Sequence, residues 1–151
     1  MKVLILVGFP GSGKSTHAKS LEADYTIINQ DTLGNRKKCV QAAINALKEG
    51  KSIVIDRTNI NKKQRKILID LAKEYKVDKI ELIEFRCSSE ECIKRVAERK
   101  DHPTIKDFSI DKITFIVRKF EDDYEEPHFS EGFDSHTVYY QPIVFKDFNR
   151  S

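Results

Sequence analysis

Apolar positions along this chain fall into two alternating patterns. The short unbroken run at Val3 to Val7 reads as a strand buried on both faces, and Thr26 to Ile28, Ser52 to Ile55 and Ile80 to Phe85 are further strand candidates. A fifth strand is expected within Val138 to Phe145, interrupted by Pro142. Between these runs the spacing changes to i, i+3, i+4, i+7. Val40, Ala43, Ile44 and Leu47 mark one amphipathic helix, stopped by Gly50, and Leu68, Leu71, Ala72 and Tyr75 mark another, with Asn61 and Gln64 as a cap pair. Ser88 and Glu91 read as a capping box ahead of Cys92, Ile93, Val96 and Ala97. Ile113, Ile116, Val117 and Phe120 mark a further helix. Such alternation predicts the α/β class: a parallel five-stranded sheet with right-handed crossovers and helices on both faces. No repeat, low-complexity tract or linker interrupts it, so residues 1–151 are expected to form one domain. Ligands of such sheets bind beyond the carboxyl ends of the strands, which directs attention to the residues after Val7, Ile28 and Ile55.

The first of these places holds Gly8-Phe9-Pro10-Gly11-Ser12-Gly13-Lys14-Ser15, a match to G-x-x-x-x-G-K-[ST] at every fixed position. It lies between a buried-strand pattern and a helix, the context the motif requires. Small residues let the backbone curl around a phosphate chain, Lys14 reaches the β- and γ-phosphates, and the Ser15 hydroxyl ligates Mg²⁺. A nucleoside triphosphate with Mg²⁺ is therefore expected on Gly8, Pro10, Gly11, Ser12, Gly13, Lys14, Ser15 and Thr16.

Composition narrows the surroundings. Charged residues make up 34% of the chain, but 27 Lys and Arg stand against 24 Asp and Glu, for a net charge of +3. That excludes a polyelectrolyte tail and leaves any polyanion to a local groove. The cysteines at 39, 87 and 92 lack metal-site or disulfide spacing and are expected as reduced, buried thiols. No apolar run approaches the roughly 20 residues that span a bilayer, and the start lacks a signal-peptide pattern. An intracellular protein, cytoplasmic or nuclear and without a membrane partner, is expected.

The other strand ends carry candidate acceptor chemistry. Asp31, in Asn29-Gln30-Asp31, is placed either to take a proton from an attacking hydroxyl or to cap the next helix. Arg36-Lys37-Lys38 opens a helix with three cations, which suits a bound anion or a solvated basic turn. Asp56, in Asp56-Arg57-Thr58-Asn59, holds a metal-bound water, orients an acceptor, or belongs to the capping turn before Asn61; Thr58 and Asn59 read as structural hydrogen-bonders. Arg95 and Arg99, four apart, share a helix face and offer cations to a migrating phosphoryl group or simply end an exposed helix. His102-Pro103-Thr104 then breaks the helix, with His102 in a turn or stacked on a base.

Taken together, Gly8 to Ser15, Asn29-Gln30-Asp31-Thr32-Leu33-Gly34 and Ile55-Asp56-Arg57-Thr58-Asn59 resemble the kinase domain of the polynucleotide 5′-kinase/3′-phosphatase family. Phe120-Glu121, Pro127 and Glu131-Gly132-Phe133 extend the similarity, which runs from Lys2 to Phe133. The resemblance implies a P-loop kinase fold with a small helical lid at about 95–108, and transfer of the γ-phosphate of ATP to a 5′-hydroxyl of DNA or RNA in nucleic-acid repair. It implies Asp31 as general base, Lys14 and Arg99 on the transferred charge, and Arg95 and Arg99 in a lid over the nucleotide. It sets Lys38 where family members grip an acceptor phosphate with arginine. Arg36, Asp56 and Asn59 complete the expected acceptor side, and Ser15 and Asp56 the metal site. The chain departs from the family at Gln30 and Lys38, both arginine in relatives, and at Arg57, where relatives carry a shorter polar or acidic residue. It has no aspartyl-nucleophile D-x-D motif, so no 3′-phosphatase activity is expected, and a separate ligase or phosphatase is a candidate partner. A kinase for a nucleoside, sugar or antibiotic, or an ATP-binding module without catalysis, would share the same loop and sheet.

Overall fold

The computed structural model describes residues 1–98 and 109–141. In chain order the elements are β1 (Lys2–Val7), α1 (Lys14–Ser20), β2 (Thr26–Asn29), α2 (Gln30–Leu33), α3 (Arg36–Lys48), β3 (Ile53–Asp56), α4 (Lys62–Glu74), β4 (Lys79–Cys87), α5 (Ser89–Glu98), α6 (Ile110–Asp123) and β5 (Ser135–Gln141), with a 3₁₀ turn at Phe129–Glu131 before β5. The strands pair in the order β2-β3-β1-β4-β5, all parallel.

The apolar runs of β3 and β1 lie inside this sheet, covered on both faces, and that of β2 forms one edge. Val3, Ile5 and Val7 face the layer of α3 and α4, where Ala43, Leu47, Leu68 and Ile69 complete the core. Leu4 and Leu6 face the other side, against Ala18 of α1 and Phe85. One row runs across the sheet through Ile28, Ile55, Ile5 and Leu82. α5 and α6 pack together through Cys92, Val96, Ile113 and Val117, with Phe9 against them. Side-chain caps start the helices: Asn35 accepts from Lys38 N, Asn61 from Gln64 N and Ser109 from Lys112 N. Each such cap contributes about 1 kcal/mol.

The expected fifth strand begins earlier than its apolar run suggests. β5 starts at Ser135, where Asp134 accepts from Ile80 N and donates its own backbone N–H to the Ile80 carbonyl. Alternation in Ser135-His136-Thr137-Val138 replaces an apolar run here. Pro142 to Phe145, and the 99–108 part of the expected lid with Arg99 and His102, lie outside the described residues.

Two buried polar centres join the C-terminal part to the sheet. Arg65 is fully buried; its Nε donates to Glu131 Oε1 at 2.7 Å, Nη1 to the Asn59 carbonyl at 3.0 Å and Nη2 to the Glu125 carbonyl at 2.9 Å. Glu84 is equally deep and accepts from Arg86 Nε at 3.0 Å and from the Tyr124 hydroxyl, with His136 Nε2 at 3.0 Å. Burial pushes the Glu84 carboxyl up, but the bonds from Arg86 and Tyr124 and the Arg86 charge outweigh it and hold the group below its ordinary range.

Arg65→Met leaves Glu131 buried without its cation and should lower the unfolding free energy by about 3–5 kcal/mol, read by urea denaturation; an unchanged midpoint would refute the role given to this pair. Glu84 has a depressed folded-state pKa, so its contribution is present above the unfolded carboxylate value and disappears as pH falls through the folded one. Tyr124→Phe removes one donor, raises the folded pKa and should move acid unfolding to higher pH. A midpoint that stays put or moves down would contradict this.

Candidate active site

Three strand ends converge because β1 lies next to β3, and β3 next to β2, in a parallel sheet. After β1 the backbone curls, with Ser12 N donating to the Phe9 carbonyl at 3.1 Å. Gly11 sits at φ +80°, and a Cβ there would stand 3.0 Å from both the Cys92 carbonyl and Val96 Cγ2, so α5 lies directly on the loop. Gly13 at φ +102° turns the chain into α1. The loop after β3 is stitched to β1: Gly8 N donates to the Thr58 carbonyl at 3.0 Å and Asn59 Nδ2 to the Leu6 carbonyl at 2.7 Å.

Lys14 is almost buried, and its Nζ donates to the Phe9 carbonyl at 2.9 Å and to Ser12 Oγ at 3.4 Å. The ammonium is thereby held across the concavity of its own loop. Ser15 Oγ donates to Asp56 Oδ2 at 2.8 Å, and Asn29 Nδ2 donates to the same oxygen at 2.7 Å. Asp56 is only 5% exposed, and a carboxylate that deep needs donors, here drawn from the two neighbouring strand ends. Among the described residues no cluster of three or more His, Cys, Asp or Glu side chains forms a metal cage. Ser15 Oγ and Asp56 Oδ2 nonetheless make a pair of hard oxygen donors beside the phosphate loop. That set suits Mg²⁺, which keeps several waters and completes its shell with substrate phosphates.

Asp31 is exposed and lines the same cleft, about 390 Å³ in volume, together with Pro10, Gly11, Gly13, Lys14, Ser15, Asp56 and Arg57. The cap of α2 is Asn29, whose Oδ1 accepts from Thr32 N at 2.9 Å. The Asp31 carboxylate therefore does not serve as that cap. Arg57 Nε donates to Gln30 Oε1, which links the two residues that follow β2 and β3. Burial, reinforced by the like charge of Arg36 and opposed by Cys39, pulls the Arg57 guanidinium below its ordinary pKa.

Other expected residues stand elsewhere. Arg36 and Lys38 are exposed on the first turn of α3 and do not line the cleft. Asn59 is fully buried at φ +46°, with Nδ2 engaged on the backbone and Oδ1 without a partner. Thr16 is exposed on α1. Arg95 reaches from α5 to the loop, its Nη1 3.4 Å from the Gly11 carbonyl and its Nε 3.2 Å from Glu91. Arg99 lies outside the described residues. Asn29, Gln64 and Phe120 also line the cleft, although the sequence reading gave them no part in the site. For Asn29 the signal was there, an asparagine directly ahead of a short helix; Phe120 read as a core position of its helix. A second cavity, about 550 Å³, opens beside Gly8 and Phe9 and is walled by Phe85, Arg86, Tyr124 and Tyr140. It contains none of Lys14, Ser15, Asp31 or Asp56, so the convergent chemistry belongs to the smaller, more polar cleft.

Residues 3–121 match the AAA domain family, and the chain belongs to that family. It is 39% identical over 134 residues to the bifunctional polynucleotide phosphatase/kinase of Schizosaccharomyces pombe, an alignment covering 87% of this chain and 32% of that protein. The chain spans about a third of the length of the curated relatives it matches. Among solved structures it is similar to Chaetomium thermophilum Kti12 in complex with ADP-AlF3, at TM-score 0.66 and 21% identity over 98% of this chain and 94% of that one. It is also similar to a gluconokinase from Sinorhizobium meliloti 1021, at TM-score 0.65 and 16% identity over 99% and 87% of the two chains. At these identities the structural likenesses establish the fold, the five-stranded parallel sheet of P-loop kinases.

Proposed function

We infer that this chain is a kinase domain transferring the γ-phosphate of ATP to the 5′-hydroxyl of a polynucleotide end. The observation that carries the reading is the meeting of Lys14, the Ser15–Asp56 pair and the Asp31 carboxylate in one cleft. A phosphate-binding loop alone fits any NTPase. A carboxylate from the second strand end, exposed and not used as a helix cap, adds what hydroxyl transfer needs. The 39% identity to a polynucleotide phosphatase/kinase supports a nucleic-acid acceptor.

In this reading Asp31 accepts the proton of the acceptor hydroxyl as its oxygen bonds to the γ-phosphorus. The bond from that phosphorus to the bridging oxygen breaks, and its electron pair leaves on ADP. Lys14 neutralises charge on the β- and γ-phosphates, and Arg95, already against the loop, supplies a second cation to the nucleotide side. Arg99, four residues on, would join it from the lid. Ser15 and Asp56 would hold Mg²⁺, which when bound offsets the phosphate charge. The gluconokinase likeness keeps a small-molecule acceptor as the competing reading, since that fold neighbour shares the whole sheet.

The assay is transfer of label from ATP to a 5′-hydroxyl DNA oligonucleotide, a matching RNA and a set of nucleosides and sugars. Label should appear on oligonucleotides, with affinity falling as salt rises. Label confined to a monomer, or released only as free phosphate, would overturn the acceptor assignment. Asp31→Asn should lower kcat by about 10²–10⁴ while ATP affinity holds within about twofold. Equal loss of both would place Asp31 in nucleotide binding instead. Asp56→Asn should raise the Mg²⁺ concentration needed for half-maximal rate, and an unchanged requirement would remove Asp56 from the metal site.

A further inference from the structure

The thiols of Cys87 and Cys92 meet at a helix start. Cys87 ends β4, Ser88 Oγ accepts from Glu91 N at 3.1 Å, and α5 begins at Ser89. Ser88 is thus the cap of α5, Cys87 the residue before the cap and Cys92 the fourth residue of the helix. Side chains at these two places pack against each other at many helix starts. Separation in sequence gave no reason to pair residues five apart, but the turn of chain between them does. Cys92 Sγ donates to the Cys87 carbonyl at 3.9 Å, both residues belong to the apolar cluster of α5 and α6, and the two thiols interact side chain to side chain.

Their surroundings differ. Cys92 is fully buried, whereas Cys87 is half-buried and lines the cavity of about 550 Å³ beside Gly8 and Phe9. The hydrogen bond from Cys92 lowers the Cys87 pKa, against burial and with help from the Arg95 charge. The same bond, together with burial, raises the pKa of Cys92. The thiolate is the reactive form of cysteine, so the accessible sulfur is also the nucleophilic one, and a protonated sulfur stands against it. Cys39 of α3 lies in the main core, and burial pushes its thiol up.

The pair adjoins the phosphate loop. The Cys92 carbonyl is one of the groups that a Cβ on Gly11 would meet at 3.0 Å, and Arg95, on the next turn, reaches the Gly11 carbonyl at 3.4 Å. The Cys92 thiol also feels the charge of Lys14. The first turns of α5 are therefore the wall against which the loop rests, with no slack between them.

We propose that Cys87 and Cys92 form a reversible disulfide under peroxide, with Cys87 reacting first, and that this bond weakens nucleotide binding at the loop. The Cys87 thiolate attacks one oxygen of hydrogen peroxide and the O–O bond breaks. The departing hydroxide takes up the proton that Cys87 released, leaving water and a Cys87 sulfenic acid. The Cys92 sulfur then bonds to the Cys87 sulfur, the S–O bond breaks, and the hydroxyl leaves with the Cys92 proton as a second water. Two thiols are oxidised and one peroxide is reduced, and a dithiol reverses the change. Closing the bond brings the sulfurs to about 2.05 Å, which draws the first turn of α5 toward β4 and shifts the wall beside Gly11. The device needs the phosphate loop and no particular acceptor.

The test is peptide mapping of the native protein after hydrogen peroxide, with free thiols alkylated before digestion by trypsin. Cleavage after Arg86 and Lys94 puts both sulfurs on one peptide, 87–94, and Cys39 begins another, 39–48. Peptide 87–94 should lose a pair of hydrogens, escape alkylation and recover with dithiothreitol, while peptide 39–48 stays alkylated. Cys92→Ala should leave Cys87 as a sulfenic acid that dimedone traps, and Cys87→Ala should leave Cys92 alkylated. Dimedone on Cys92 in Cys87→Ala would overturn Cys87 as the first to react. A disulfide that does not form, or forms only in urea, would overturn the pair. Oxidation should raise the calorimetric Kd for ADP about three- to tenfold in wild type. In Cys87→Ala, which removes only a half-buried sulfur, the same treatment should leave it within about twofold. Equal affinity of oxidised and reduced wild type would overturn the link to the loop. Reduced protein that binds no ADP would overturn that link and the nucleotide reading together, while the mapping still decides the disulfide. Should Cys92→Ala not fold, Cys87→Ala and wild type carry the comparison.

Discussion

The carboxylate of Asp56 is the point at which separate parts of the chain become one site. It is almost buried, and one of its oxygens accepts both from Ser15 on the phosphate loop and from Asn29 at the end of β2. A buried charge demands such donors, and the demand draws the ends of three strands together. It adds a side-chain tie to the backbone pairing that already sets these strand ends side by side.

A second layer of polar contacts supports the first. Asn59 fastens the loop after β3 to the last turn of β1, and Arg65 accommodates the Asn59 carbonyl while its other nitrogens reach Glu131 and Glu125. The C-terminal 3₁₀ turn, α4, the β3 loop and the phosphate loop are therefore coupled through two side chains. Asn59 carries the local cost, a positive φ and a buried Oδ1 without a partner. Such strain persists only where surrounding structure over-determines the backbone, which fits a residue wedged between the site and its support.

Charge around the cleft is arranged unevenly. Away from it, Arg65, Arg86, Arg95 and Arg118 pair with carboxylates, whereas at the β2 and β3 ends Arg57 is held by an amide and faces Arg36. The net charge of +3 does not show this arrangement.

Much of the architecture was legible in local pattern. Mostly apolar runs located β1 to β4, clearest in β1 and β3, which are covered on both faces, while β5 hid its start in alternation. Helix starts were readable at Asn61 and Ser88, since a cap and its backbone target lie three residues apart. The phosphate loop was readable because its chemistry is contiguous: eight successive residues imply their own geometry. The contacts that relate one strand end to another were not readable in this way. That Asp56 unites Ser15 with Asn29, and that Arg57 rests on Gln30, depend on residues about 27 to 41 positions apart. Such pairings have no period and no spacing rule. The chain's own sequence thus determined the elements and the phosphate loop, through interactions that span a few residues. Tertiary packing, by setting parallel strands side by side, decided which charges share the cleft and which find partners elsewhere.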